Sequence, residues 1–227
     1  MNQTYFLALI QFLVLLLSLS VHECAHAWTA DRLGDPTARF LGRISLNPIV
    51  HSEPFGTIIF PLVGLLYGGF VFGWAKPVPV NVGRLRHPVR DHMLVAAAGP
   101  ISNLILATLM FGVLMTMKAT SPEMAGIVRG AVVGIVPTGG TLAPLLALVA
   151  FYGMITNVIL AIFNLIPVAP LDGATVLSGF LPRELAAGLD RMQAYSFIIF
   201  LLLLVSGIPQ YLFDPPIYFL QRVLISS

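Results

Sequence analysis

An all-α polytopic membrane protein is predicted, with about four to six transmembrane helices, a re-entrant segment and a small membrane-associated β-sheet or hairpin. Three observations predict it. The chain is 57% hydrophobic and only 10% charged, with mean hydropathy +0.91, far from the quarter-charged norm of soluble domains. Several uncharged runs approach the ~20 residues needed to cross a ~30 Å hydrocarbon core. One further apolar stretch is short and glycine-rich, and lies between two stretches that read as extended. The 227 residues leave no room for a separate soluble domain, so residues 1–227 are expected to form a single membrane-embedded unit. A net charge of +2 gives no reason to expect nucleic acid as a partner. The single cysteine, Cys24, cannot form an internal disulfide.

The first span is expected at about 5–28, where Phe6 to Leu17 carry no charge. A signal-peptide reading of its Ala25-His26-Ala27 end is disfavoured, because Met1 to Thr4 lack a basic n-region and the apolar run is long enough to stay as a span. Residues 40–46 and 74–81 read as extended and are the candidates for strand edges; Pro77 and Pro79 confine the second to an edge. Between them, 56–73 (GTIIFPLVGLLYGGFVFG) is short for a span, holds five glycines and carries Pro61 near its start, so it either crosses or dips. Further spans are expected at 93–117, 144–166 and 194–213. Ile127 to Val136, with Arg129 inside and Pro137 after it, reads as a surface loop, and Tyr211 to Val223 as an interfacial anchor.

The chemistry lies in His22-Glu23-Cys24-Ala25-His26, near the end of the first span. Four residues apart on a helix, His22 and His26 share a face, with Glu23 beside them. Two imidazoles supply two of the three protein ligands of a catalytic zinc, and the neighbouring carboxylate can take a proton from a metal-bound water. Chance places H-E-x-x-H in on the order of one chain in a hundred of this length, so the motif alone does not decide. The bland alternative is a set of helix-interior polar residues pairing with neighbours. Inside a membrane that alternative weakens, since each central ionisable group costs at least ~2.5–3.5 kcal/mol on insertion scales. The candidates for a third ligand are Asp172, His51, His87 and His92. Asp172 follows a span that Pro167 and Pro170 break, and Gly173 permits a turn, so its carboxylate can be aimed at a neighbouring helix. It also suits the N-cap of a segment starting at Ala174. His87 and His92 lie in a basic interfacial loop and read as surface residues.

Four stretches, HECAH at 22–26, GRISLNPIVHSEPFG at 42–56, AGPISN at 98–103 and NLIPVAPLDG at 164–173, together resemble the site-2 protease family of intramembrane zinc metalloproteases, in its minimal form without PDZ or CBS modules. The resemblance implies one Zn2+ per chain held by His22, His26 and Asp172, with Glu23 as general base. It implies that Asn103 and Asn164 bind substrate or stabilise the oxyanion; His51, which lies in one of these stretches, is a candidate for the cavity mouth or for a partner of a ligand. It implies zinc-dependent cleavage within the transmembrane helix of single-span substrates such as anti-sigma factors, tethered regulators or signal-peptide remnants, with the substrate added to a sheet edge as a strand. Two departures are noted: Pro167-Val168-Ala169-Pro170 has less proline than is common there, and Ser52-Glu53 stands where Asp before Pro-Phe-Gly is usual.

A zinc site constrains topology. HECAH and Asp172 must meet on one side, and if 56–73 and both later spans crossed, three crossings would separate them. A dip at 56–73 leaves two and brings them together; a second crossing at 125–141 would restore parity even if 56–73 spans. Arg32, Arg39 and Arg43 in 29–55, and Lys76, Arg84, Arg86 and Arg90 in 76–92, both favour the cytoplasm, so the dip is expected, with the site toward the cytoplasmic side of the cell membrane. The rival readings are a transporter or metal-handling protein using the same His/Glu/Asp set, and a catalytically inactive relative. The first calls for more acidic or histidine residues in the later spans, and 93–117 and 194–213 contain none; the intact HECAH and Leu-Asp-Gly disfavour the second.

Overall fold

A computed structural model describes residues 3–66, 73–135, 142–182, 184–186, 188 and 195–226. In chain order its helices are α1 (Gln3–Arg32), α2 (Thr37–Phe40), α3 (Pro48–His51), a π-helical turn (Pro54–Ile59) running into α4 (Phe60–Leu66), a 3-10 turn (Val82–Arg84), α5 (Pro88–Thr120), α6 (Pro122–Val132), α7 (Ala143–Asn164), α8 (Asp172–Phe180), α9 (Ser196–Val205) and α10 (Ile208–Ile225). Among the described residues α1, α5 and α7 are long and apolar enough to cross a membrane, at the first three of the four predicted spans.

These three pack on one another in every pairing. Ile10 and Val14 of α1 share a buried cluster with Leu114 of α5 and Leu148, Phe151 and Met154 of α7, while Val128 and Ala131 of α6 and Leu224 of α10 close that end. Further along, Ser18 meets Asn157, His22 meets Asn103, and His26 meets Val95. Contacts that climb α1 therefore climb α7 and descend α5. The end of α1, the start of α5 and the end of α7 lie together, which brings HECAH toward Asp172. Lipid supplies no hydrophobic drive between spans, so close packing and interhelical hydrogen bonds of about 0.6–2 kcal/mol each hold such a bundle.

Three expectations are corrected. No strand occurs among the described residues, so the predicted β-sheet or hairpin is absent there. At 40–46 the chain leaves α2 through a turn at Gly42. At 74–81 it is extended, but Pro77 and Pro79 have no N–H, the Lys76 N–H goes to the His51 carbonyl, and the Val78 N–H goes to Glu23, so its donors do not form a ladder. The predicted fourth span, 194–213, is not one helix. Its described part divides at Ser206-Gly207, where Gly207 has φ +74, into the ten-residue α9 and the separate α10; ten residues rise only about 15 Å. Ile127 to Val132, expected in a loop, belongs to α6, which Ser121 caps by accepting the Met124 N–H.

Of the predicted dip 56–73, residues 67–72 lie outside the described residues. Its two ends touch. The Trp74 N–H donates to the Gly56 carbonyl at 3.2 Å, and the Thr57 hydroxyl donates to the Trp74 carbonyl at 2.8 Å.

Candidate metal centre

Ser18, His22 and His26 recur at four-residue steps and so line one stripe of α1. The stripe faces inward: His22 and His26 are buried, and their Nε2 atoms lie 3.0 Å apart. Asp172 Oδ2 lies 3.2 Å from His22 Nε2 and 3.4 Å from His26 Nε2. The opposite ring nitrogens decide what these atoms are. His22 Nδ1 is 2.6 Å from the Asn103 side-chain oxygen, and His26 Nδ1 is 2.7 Å from the Val95 carbonyl. Both partners accept, so each Nδ1 carries the proton and, in the neutral ring, each Nε2 presents a lone pair.

Two imidazole lone pairs and a carboxylate oxygen thus converge, and Asp172 Oδ2 is buried without a hydrogen-bond partner. Such a cluster of ligand atoms could hold a metal ion. A tetrahedral zinc with bonds of about 2.0–2.1 Å spaces its ligand atoms about 3.3–3.4 Å apart. The observed edges are close to that, and the donor set is one zinc takes.

Asp172 reaches the site from a compact turn. After α7 ends at Asn164, the Leu171 N–H bonds the Val168 carbonyl, and Phe163, Ile166 and Leu171 bury one cluster under Leu203 and Phe213. The N-cap of α8 is Leu171, not Asp172, and it makes no side-chain cap bond, so the capping alternative for Asp172 does not apply. Two glycines allow the approach. A Cβ on Gly173 would stand 2.3 Å from the Leu165 carbonyl oxygen, and a Cβ on Gly99 of α5 would stand 2.4 Å from His26 Nε2 and 2.6 Å from His22 Cε1. Beside the triad, Glu23 is buried, and its Oε2 accepts the Val78 N–H at 3.0 Å from the extended 74–81 segment.

Residues 10–206 match the profile of peptidase family M50. The chain belongs to that family. It is 38% identical over 215 residues to "Putative zinc metalloprotease YwhC" of Bacillus subtilis, covering 93% of this chain and 88% of that one. It is 28% identical over 213 residues to "Putative zinc metalloprotease Rip2" of Mycolicibacterium smegmatis, covering 93% and 73%. No solved structure matches it.

In this M50 chain the remaining predicted residues take distinct places. Asn103 has no exposed surface; its oxygen meets His22 and its nitrogen donates to Asn157 Oδ1 at 2.7 Å, so both polar ends point into the bundle. Asn164 turns back on its own helix, donating to the Leu160 carbonyl. His51 is buried beside the 74–81 segment, its Nε2 donating to the Ser45 carbonyl and its own carbonyl receiving the Lys76 N–H. Glu53 caps the π-helical turn by accepting the Gly56 N–H at 2.6 Å.

Sequence reasoning missed Arg43, Gly99 and Asn157. Arg43 is 5% exposed and donates to the carbonyls of Val50, Lys76 and Pro77, pinning the segment that meets Glu23. In the sequence it is one basic loop residue among several. Gly99 and Asn157 carry weaker signals: a glycine within AGPISN, and an amide in the middle of an otherwise apolar span.

Proposed function

We propose that this M50 peptidase is a zinc-dependent intramembrane endopeptidase, hydrolysing a peptide bond within the transmembrane helix of a single-span, membrane-anchored substrate. One observation carries the reading: His22, His26 and Asp172, drawn from positions up to 150 residues apart, bring three ligand atoms within 3.4 Å of one another beside Glu23. The zinc named for the relatives fits that donor set. Bound there, it supplies a Lewis acid and a water acidic enough to serve as nucleophile near neutral pH.

Glu23 holds its carboxylate toward the site by lending Oε2 to the Val78 N–H. Its other oxygen takes the proton from the attacking water and returns it to the leaving amine, a service worth about 10²–10⁴-fold in rate. Gly99 lets α5 lie directly against the two imidazoles, where any side chain would displace them. A substrate helix must unwind before its peptide bond is accessible.

The same reading takes 56–73 as a re-entrant dip. The Gly56–Trp74 junction and the meeting of the end of α1 with the start of α5 support it, since both ends of the intervening chain lie on one side. The basic residues of 29–55 and 76–92 support a cytoplasmic location for that side, with the chain in the cell membrane. Substrates of this kind include membrane-tethered regulators, anti-sigma factors and signal-peptide remnants. The test is cleavage of a model single-span substrate in detergent by wild type and Glu23→Gln, with zinc content assayed. Cleavage should fall by at least about 100-fold with zinc retained; equal cleavage by the two proteins refutes the mechanism.

A further inference from the structure

We propose that Asn157 is a positioning residue for the metal centre: acting through Asn103, it fixes the tautomer of His22 so that Nε2 faces the metal as a lone pair. The inference rests on the zinc reading above.

The two histidines are held by unlike partners. His26 donates from Nδ1 to the backbone carbonyl of Val95, which can only accept, so its tautomer needs no further support. His22 donates to a side-chain amide, and an amide can present either its oxygen or its nitrogen. What orients Asn103 is therefore what orients His22. The Asn103 nitrogen donates to Asn157 Oδ1 at 2.7 Å. The Asn157 nitrogen in turn lies 2.8 Å from the Gly153 carbonyl and 2.9 Å from Ser18 Oγ. The Gly153 carbonyl accepts only, so the nitrogen of Asn157 must face it and the oxygen must face Asn103. Polarity passes from one backbone carbonyl through two amides to an imidazole.

Burial makes the relay matter. Ser18, Asn103 and Asn157 are at most 3% exposed, which leaves no bulk water to replace a lost partner. If Asn103 turned, its NH2 would meet His22 Nδ1, and the ring proton would move to Nε2. There it would donate to Asp172 Oδ2, 3.2 Å away, and compete with the metal for both ligands. A purely structural role, tying α1, α5 and α7 together, predicts loss of stability but no dependence on the polarity of residue 103.

The experiment uses the full chain in detergent and measures zinc affinity by chelator competition. Asn157→Leu should weaken zinc binding about 10–100-fold, the usual effect of removing an outer partner of a ligating histidine. Adding Asn103→Asp to that variant should restore affinity to within about 3-fold of wild type, because a carboxylate accepts from Nδ1 whichever way it turns. In 15N-histidine-labelled, metal-free protein, His22 should be the Nδ1–H tautomer in wild type and shift toward Nε2–H in Asn157→Leu. Should the leucine variant fail to fold, Asn157→Ser is read in the same way. Wild-type zinc affinity in a folded Asn157 variant, or loss that Asn103→Asp does not restore, overturns the inference. A wild type that binds no zinc instead overturns the reading on which it rests.

Discussion

The histidines and the aspartate reach one point by different means. His22 and His26 sit on a 30-residue helix, where a four-residue step alone puts them on one stripe, and their distance depends on nothing beyond helix geometry. Asp172 stands at the first residue of a nine-residue helix, after a proline-broken turn held by the Phe163, Ile166 and Leu171 cluster. Its position depends on how closely backbone can approach backbone. The helical half is set by local geometry and the turn-borne half by packing, so the two should fail in different ways.

The largest effect is expected where the two imidazoles meet a third helix. Gly99→Ala puts a methyl 2.4 Å from His26 Nε2 and 2.6 Å from carbons of both rings, nearer than real side-chain contacts come. Because misplacing reacting groups by about 1 Å can cost 10²-fold, cleavage should fall by at least about 100-fold, and zinc affinity should fall with it. Wild-type zinc affinity in Gly99→Ala would show that α5 can yield there.

Gly173→Ala strikes only the turn-borne half. The added Cβ meets the carbonyl oxygens of Leu165 and Ile166 at 2.3 and 2.5 Å, backbone that cannot rotate aside. Overpacking of this sort costs about 1–3 kcal/mol, and Asp172 should swing off the site while the two imidazoles stay. Zinc should then bind at least about 100-fold more weakly, since losing a ligand costs more than the roughly 10–100-fold of losing an outer partner, as a two-histidine site that still shows imidazole ligation after cobalt substitution. A loss as complete as in Gly99→Ala would mean the two halves are not independent.

What was legible in the sequence follows the same division. HECAH could be read because its geometry is local, and Asp172 because prolines and a glycine beside a carboxylate mark a turn with a purpose. Gly99 in AGPISN is silent until α1 is placed against it. The 74–81 segment was misread as a strand edge because extended backbone is visible in the sequence, whereas the partner of the Val78 N–H, a glutamate 55 residues away, is a tertiary fact. Two misreadings had local signals. Ser121-Pro122-Glu123 is a helix start, outweighed by Arg129 and Pro137, and Gly207 with Pro209 is a helix break inside 194–213, outweighed by hydropathy.

The smallest effect separates Glu23 from the metal ligands. Asp35, in the turn after α1, has no exposed surface and accepts from the Thr37 hydroxyl, the Thr37 N–H at 3.1 Å and the Asn81 N–H at 2.6 Å, tying the end of the 74–81 segment to α1. Burial pushes its carboxyl up, but the Thr37 and Asn81 hydrogen bonds and the Arg84 charge outweigh that and hold it below the usual carboxylate range. A carboxyl depressed in the folded state contributes stability above its unfolded pKa of about 3.9 and loses it as pH falls through the lower folded value. Asp35→Asn should therefore melt below wild type at neutral pH, by the equivalent of about 1–3 kcal/mol, with the gap closing only under about pH 4. Zinc affinity should stay within about 3-fold of wild type while cleavage drops modestly, because what loosens is the segment that steadies Glu23 and not the ligands. Thermal melting in detergent from about pH 3 to 8 reads the first part, and a gap constant across that range would remove Asp35 as the anchor.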